Sequence, residues 1–133
     1  MKVLLVSADF QEAEILSQEL IRAIPPIQVD IFKTAEDALF FFRASGGDCD
    51  GVLLDSSVPG ADAVHLASSI LNEKRPIGVI ALVDGTQKER STDLLKAGVH
   101  RLIPKGPGCA ARIGLSRPQR DGPADRQHTD QFP

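Results

Sequence analysis

Gly51-Val52-Leu53-Leu54-Asp55-Ser56-Ser57-Val58-Pro59-Gly60 decides how this chain is read. An uninterrupted apolar run ends on a single carboxylate, and a Pro-Gly loop follows at once. A strand covered on both faces of a parallel sheet needs such a run. An acid at the carboxyl end of that strand lies where open α/β sheets carry their chemistry.

The pattern repeats on either side. Strand-length apolar runs at 3–6, 27–32, 51–54, 77–83 and 101–104 alternate with helical patterns, as βα units around a parallel sheet require. Asp9-Phe10-Gln11-Glu12 has the form of a capping box. It opens a helix with Ala13, Leu16, Leu20 and Ala23 on one side, and Pro25-Pro26 ends it. The run at 27–32 alternates through Gln28 and Asp30, which places it near a sheet edge. After Thr34, a helix turns Ala35, Ala38, Leu39 and Phe42 inward, and Gly46-Gly47 closes it. The run Phe40-Phe41-Phe42 is mainly core, with one or two rings left facing outward as a contact surface. Ala63, Leu66, Ala67, Ile70 and Leu71 have helical spacing, and Pro76 marks the next boundary. Thr86-Gln87-Lys88-Glu89 is a second capping box, opening a helix through Leu94, Leu95 and Ala97 with Gly98 as its C-cap. Asp84, before Gly85, reads as an exposed turn residue.

Composition narrows the function classes. A chain of 133 residues with 42% hydrophobic content suits one domain with a core able to fold alone. A net charge of −3, with no basic stripe interleaved with aromatics, argues against nucleic-acid binding. Cys49 and Cys109 lack paired metal or redox spacing and read as ordinary thiols in a reducing compartment. His65 and His100 show no ligand or nucleophile spacing and read as surface residues. The opening apolar run is too short for a signal peptide or a membrane span, so the expectation is a cytoplasmic protein without membrane contact. Composition changes at residue 106. From there to 133 there is no Lys, and Pro, Gly, Gln, Asp and Arg dominate. The segment reads as a disordered or irregular tail, with a short helical or apolar stretch at 109–115. It suits a linker to a lost output module, or an end foreign to the domain.

Leu53-Leu54-Asp55 with Pro59-Gly60, Lys96-Ala97-Gly98 ahead of the last strand and Lys105 at its end together resemble the receiver (CheY-like) domain of bacterial two-component response regulators. The resemblance covers about residues 1–105. It implies a flavodoxin-like five-stranded parallel sheet in a three-layer sandwich, with Asp55 accepting a phosphoryl group from a histidine kinase. It also implies Lys105 and Ser56 near the phosphoryl group, Val83 at the position of the family's switch hydroxyl, and Ser57 lending a backbone carbonyl to Mg²⁺. A carboxylate attacks a phosphoryl group only when the accumulating negative charge is neutralised, normally by Mg²⁺ and an ammonium.

The chain departs from that pattern in several places. The two adjacent acids after the first strand correspond to Ser7 and Ala8. Asp9 follows, as a helix cap or, by a small register change, a metal ligand. Mg²⁺ needs one or two carboxylates besides water and phosphate, so it would be held weakly. Val83 has no hydroxyl to donate, and Leu102 replaces the aromatic rotamer switch. Lys105-Gly106 replaces Lys-Pro, where a non-proline cis bond would cost about 2.5–4 kcal/mol, so Lys105 is expected to sit differently. No amphipathic fifth helix is legible after Lys105, which leaves part of one sheet face open. The resulting expectation is an atypical or degenerate receiver that is not an enzyme. It would dock to a sensor histidine kinase or phosphotransfer protein, to an output domain or effector protein, or to a second copy of itself. The alternatives are a phosphorylation-independent pseudo-receiver and a flavodoxin-like nucleotide- or flavin-binding domain. The latter lacks a glycine-rich phosphate loop after the first strand.

Overall fold

The computed structural model describes residues 1–72, 77–83, 88–106 and 108–116. Strands and helices alternate: β1 (Lys2–Val6), α1 (Phe10–Ala23), β2 (Gln28–Phe32), α2 (Ala35–Ala44), β3 (Gly51–Asp55), α3 (Gly60–Leu71), β4 (Gly78–Val83), α4 (Lys88–Lys96), β5 (Arg101–Pro104) and α5 (Cys109–Ser116). The strands form one sheet in the order β2-β1-β3-β4-β5, every neighbouring pair parallel. This is the flavodoxin-like α/β arrangement expected of the sequence. No described helix is long and apolar enough to cross a membrane.

Side chains alternate between the two faces of a strand, and that alternation divides the core. Leu4, Val6, Val52, Leu54, Val79 and Ala81 pack with Ala38, Phe42, Leu66 and Ile70 of α2 and α3. Leu5, Leu53, Ile80, Leu82 and Ile103 pack with Ala13 and Leu20 of α1 and with Cys109, Ala110 and Ile113 of α5. β3 is buried along its whole length, as its apolar run requires, while β2 at the edge is only half-buried. The inward face of α2 is the expected Ala35, Ala38, Leu39 and Phe42. On α1, Ala23 turns out to be exposed, and the helix is closed off by buried Ile24 instead.

A fifth helix is present, contrary to the expectation of an open sheet face. Residues 109, 110 and 113 have the i, i+1, i+4 spacing of a helical face. Because Cys109 and Ala110 are small, the segment lies close enough to the sheet for all three to be buried. α5 packs beside α1. The rest of the expected tail, 117–133, lies outside the described residues, as do Pro76, Pro107, Asp84, Gly85 and the Thr86-Gln87 half of the second capping box.

Gly98 adopts φ +102°, the left-handed conformation expected of a C-cap. Phe40 is 75% exposed while Phe42 is fully buried. Phe41 stacks at a tilt on Phe32 with centroids 5.2 Å apart. Both cysteines are free and buried, in keeping with ordinary thiols. Burial, helped by Asp50, pushes the Cys49 thiol up to about 11. His100 is less passive than expected: its Nδ1 accepts from the Val79 backbone N–H at 3.2 Å, tying the β4–β5 edge together.

Candidate functional site

Alternation also builds the site. Leu5 pairs with Leu53 across β1 and β3, and Asp55 with Leu82 across β3 and β4. Two residues on from Leu5, Leu53 and Ile103, on the same face, come Ser7, Asp55 and Lys105. The rows that fill the core under α1 and α5 therefore run out, at the carboxyl ends of the strands, into a hydroxyl, a carboxylate and an ammonium.

Asp55 is 4% exposed and Ser7 1% exposed. Burying a carboxylate is costly unless donors surround it, and here they do. Asp55 Oδ1 faces Lys105 Nζ at 3.0 Å. Oδ2 accepts from the Ser57 hydroxyl at 2.5 Å and the Ser57 backbone N–H at 3.1 Å. The Ser7 hydroxyl lies 3.2 Å from Oδ2, 3.3 Å from Ser57 Oγ and 3.1 Å from the Asp9 carbonyl. It has one proton, and the charged acceptor is the strongest claimant. Ser57 Oγ accepts in turn from Ala8 N–H at 2.9 Å, which leaves its proton for Asp55. Burial pushes the Asp55 carboxyl up, but the Ser57 and Lys105 hydrogen bonds and the Lys105 charge outweigh it and hold the group below its ordinary range.

Lys105 is held as firmly. Its ammonium donates to Glu12 Oε1 at 2.6 Å, to Asp55 and, at 3.3 Å, to Ser56 Oγ. Burial disfavours the charge, but Glu12 and Asp55 more than compensate, and the lysine titrates above its usual value. The Lys105–Gly106 bond is not cis; among the described residues the cis bond is Pro25–Pro26. Lys105 thus reaches Asp55 with Gly106, not proline, after it.

Asp9 is the N-cap of α1, its carboxylate accepting from Glu12 N–H at 3.1 Å. The capping box is only half made. Asp9 N–H donates to Ser7 Oγ at 3.2 Å, and the Glu12 carboxylate turns to Lys105 instead of reaching back to the cap. An ammonium is a better partner than a backbone amide already satisfied. Replacing Asp9 by Ala is expected to cost about 1 kcal/mol in a denaturant melt while Asn is nearly neutral. Equal losses for both would remove the cap assignment.

Val83, proposed to face the phosphoryl group, offers only its backbone: its carbonyl accepts from Lys105 N–H at 3.0 Å, and its side chain packs toward the α2–α3 side. Leu102 packs on that same side. Ser57, read only for its backbone carbonyl, contributes its side chain as well: its hydroxyl is the closest partner Asp55 has. Sequence reasoning also passed over Ser7, read only as a missing acid, and Glu12, read only as half of a cap. The two-residue step from Leu5 to Ser7 was the available signal for the first.

The donor set does not fit a resident Mg²⁺. The ion normally needs one or two carboxylates besides waters and phosphate, and a carboxylate offers about four lone-pair sites. Asp55 is already engaged by Ser7, Ser57 and Lys105 and is the one carboxylate facing the site that is not a cap or a rim ion pair, since Asp9 caps a helix and Glu12 is paired with the lysine. Among the described residues, no group of three His, Cys, Asp or Glu side chains is placed to hold a metal ion.

No protein-family model and no curated protein matches the sequence. Solved structures do match the fold. The signal receiver domain of a putative LuxO repressor protein from Vibrio parahaemolyticus superposes with TM-score 0.70 at 23% identity, over 86% of this chain and 85% of that one. A response regulator receiver protein from Burkholderia phymatum gives 0.69 at 17%, over 98% and 94%. An orphan response regulator of H. pylori gives 0.68 at 19%, over 86% and 93%. The chain therefore has the fold of response-regulator receiver domains.

Proposed function

We propose that this chain is a receiver-type signalling domain of a two-component pathway, with Asp55 at the phosphoacceptor position and Lys105 as the cation beside it. The observation that carries this reading is the 3.0 Å contact between Asp55 and Lys105 at the carboxyl ends of β3 and β5. The signalling unit runs through α5, whose buried residues close the face beside α1. It works by docking in the cytoplasm, to a sensor histidine kinase or phosphotransfer protein on one side and an output domain or effector on the other, and not by turning over a small molecule.

Phosphorylation by this site is slow. Three donors crowd Asp55 Oδ2 and Lys105 stands at Oδ1, and the charge that builds up on the transferring group meets one lysine and no firmly held metal. Glu12 adds a negative charge beside that lysine. The carboxylate held by Ser7, Ser57 and Lys105 also supports a second reading, a pseudo-receiver that docks in one constitutive state. Acetyl phosphate with intact-mass detection separates the two. The first reading expects a slow, partial gain of one phosphoryl group that Asp55→Asn abolishes and EDTA barely changes. No adduct on folded protein favours the pseudo-receiver. Rapid, complete, Mg²⁺-dependent labelling would overturn the metal-poor site.

A further inference from the structure

Beneath the Asp55–Lys105 pair, between α1 and the turn into α5, lies a cleft of about 390 Å³. That volume is within the range of small-molecule sites, which are mostly apolar with a few placed polar groups. The sheet supplies Leu5 and Leu82 as its floor, and both are buried. One wall is a single face of α1, where residues 12, 15, 16 and 19 follow helical spacing. The opposite wall is Gly106 and Cys109, and the small side chains there leave the space open.

The charges on this cleft are unbalanced. Glu12, Glu19 and Asp55 line it against one cation, Lys105. Lys105 is shared between Asp55 and Glu12, and among the described residues Glu19 has no ion pair. The cleft thus joins an apolar interior to a rim with more carboxylate than ammonium. An anion would meet repulsion there, and a neutral apolar molecule would leave the rim charges uncompensated. A molecule with an apolar body and one protonated nitrogen satisfies both parts. Its chain lies along Ile15 and Leu16, the apolar lining residues that remain accessible above the buried floor, and its ammonium takes the rim position that Lys105 leaves partly unneutralised.

From this arrangement we infer that the α1–α5 cleft is a binding site for a small amphipathic amine. Such a ligand would sit against the residues that position Lys105, and so report on or bias the state of the site above it. The inference does not depend on phosphorylation of Asp55, so the acetyl phosphate result leaves it standing or falling on its own.

The test is a titration of the full chain with hexylamine, 1-hexanol and hexanoate near neutral pH, followed by amide ¹H–¹⁵N shifts. Hexylamine is expected to shift amides of residues 12–19 and of 105, 106, 108 and 109, with an affinity about tenfold or more above that of hexanol. Hexanoate is expected to leave them unmoved. Glu19→Gln, on an exposed helix position, should lower the amine's affinity about threefold to tenfold while sparing hexanol. The chain has no tryptophan, so Ile15→Trp provides a second readout at the mouth, its emission changing with hexylamine over the same concentration range. Equal affinity for amine and alcohol, shifts scattered away from the cleft, or an amine preference that survives Glu19→Gln and Glu12→Gln together would each overturn the inference.

Discussion

Lys105→Met is expected to lower the free energy of unfolding by about 2–3 kcal/mol at neutral pH. Breaking a buried ion pair by removing one partner typically costs about 3–5 kcal/mol. The figure is reduced here because the Lys105 side chain is 27% exposed and water screens part of the interaction. Methionine keeps much of the aliphatic bulk, so the loss reports the charge. The pH dependence follows from the direction of each shift. Asp55 is held below its ordinary value of 3.8 in the folded protein. Its contribution is therefore present above that value and is lost as the pH falls through the folded one. Lys105 is raised above 10.5, so its contribution is present below that value and is lost as the pH rises through the folded one. In the variant the Asp55 carboxyl loses its cation and rises relative to wild type. The gap between the two proteins should accordingly narrow as the pH is lowered into the carboxylate range. Urea melts at pH 7 and at a pH well below 3.8 measure this directly. A loss below about 0.5 kcal/mol at pH 7, within the range of ordinary surface substitutions, or an equal loss at both pH values, would show that the pair contributes little.

The second large effect concerns Ser7. Its hydroxyl is buried and 3.2 Å from Asp55 Oδ2, so Ser7→Asp sets two carboxylates side by side in a site with one lysine. In EDTA this is expected to cost on the order of 2–4 kcal/mol, because a donor is replaced by a second buried anion. Adding Mg²⁺ should return much of it: a ligand at a hundred times its dissociation constant stabilises by about 2.7 kcal/mol. Thermal melts of wild type with and without Mg²⁺ should coincide, while those of Ser7→Asp should separate. Acetyl phosphate labelling of the variant should become Mg²⁺-dependent. A variant indifferent to Mg²⁺, or a wild type stabilised as much as the variant, would contradict the account of why this site lacks a metal.

Much of the architecture was legible because it rests on patterns that burial enforces. The runs at 3–6, 51–54 and 77–83 have no alternative to a strand covered on both faces, and the observed strands match them to within a residue at each end. Thr34 and Asp9 marked helix starts because short polar side chains satisfy free N–H groups there. α5 was legible only as a short helical or apolar stretch at 109–115; that Cys109, Ala110 and Ile113 close a sheet face depends on a close approach to the strands that the local pattern does not record. The site was half legible. Asp55 and Lys105 follow from position in a known pattern, whereas Ser57 and Glu12 depend on where side chains turn once the strands are aligned. Glu12 illustrates the limit: local sequence assigned it to its own helix cap, and a lysine 93 positions away in the chain claimed it instead.

The strand order has a consequence for how the chain emerges during synthesis. β2 can pair with β1 as soon as residue 32 is available, and β3 then takes the other side of β1. From that point each new unit adds to the same advancing edge, β3 to β4 to β5, so order of translation and order of assembly coincide. A nascent chain paused before β4 would present Val52 and Leu54 of a fully apolar strand as an unpaired border, the kind of border that recruits other chains. Chaperone capture of ribosome-bound intermediates should therefore peak before residue 78 clears the exit tunnel, and fall once β4 has sealed that border.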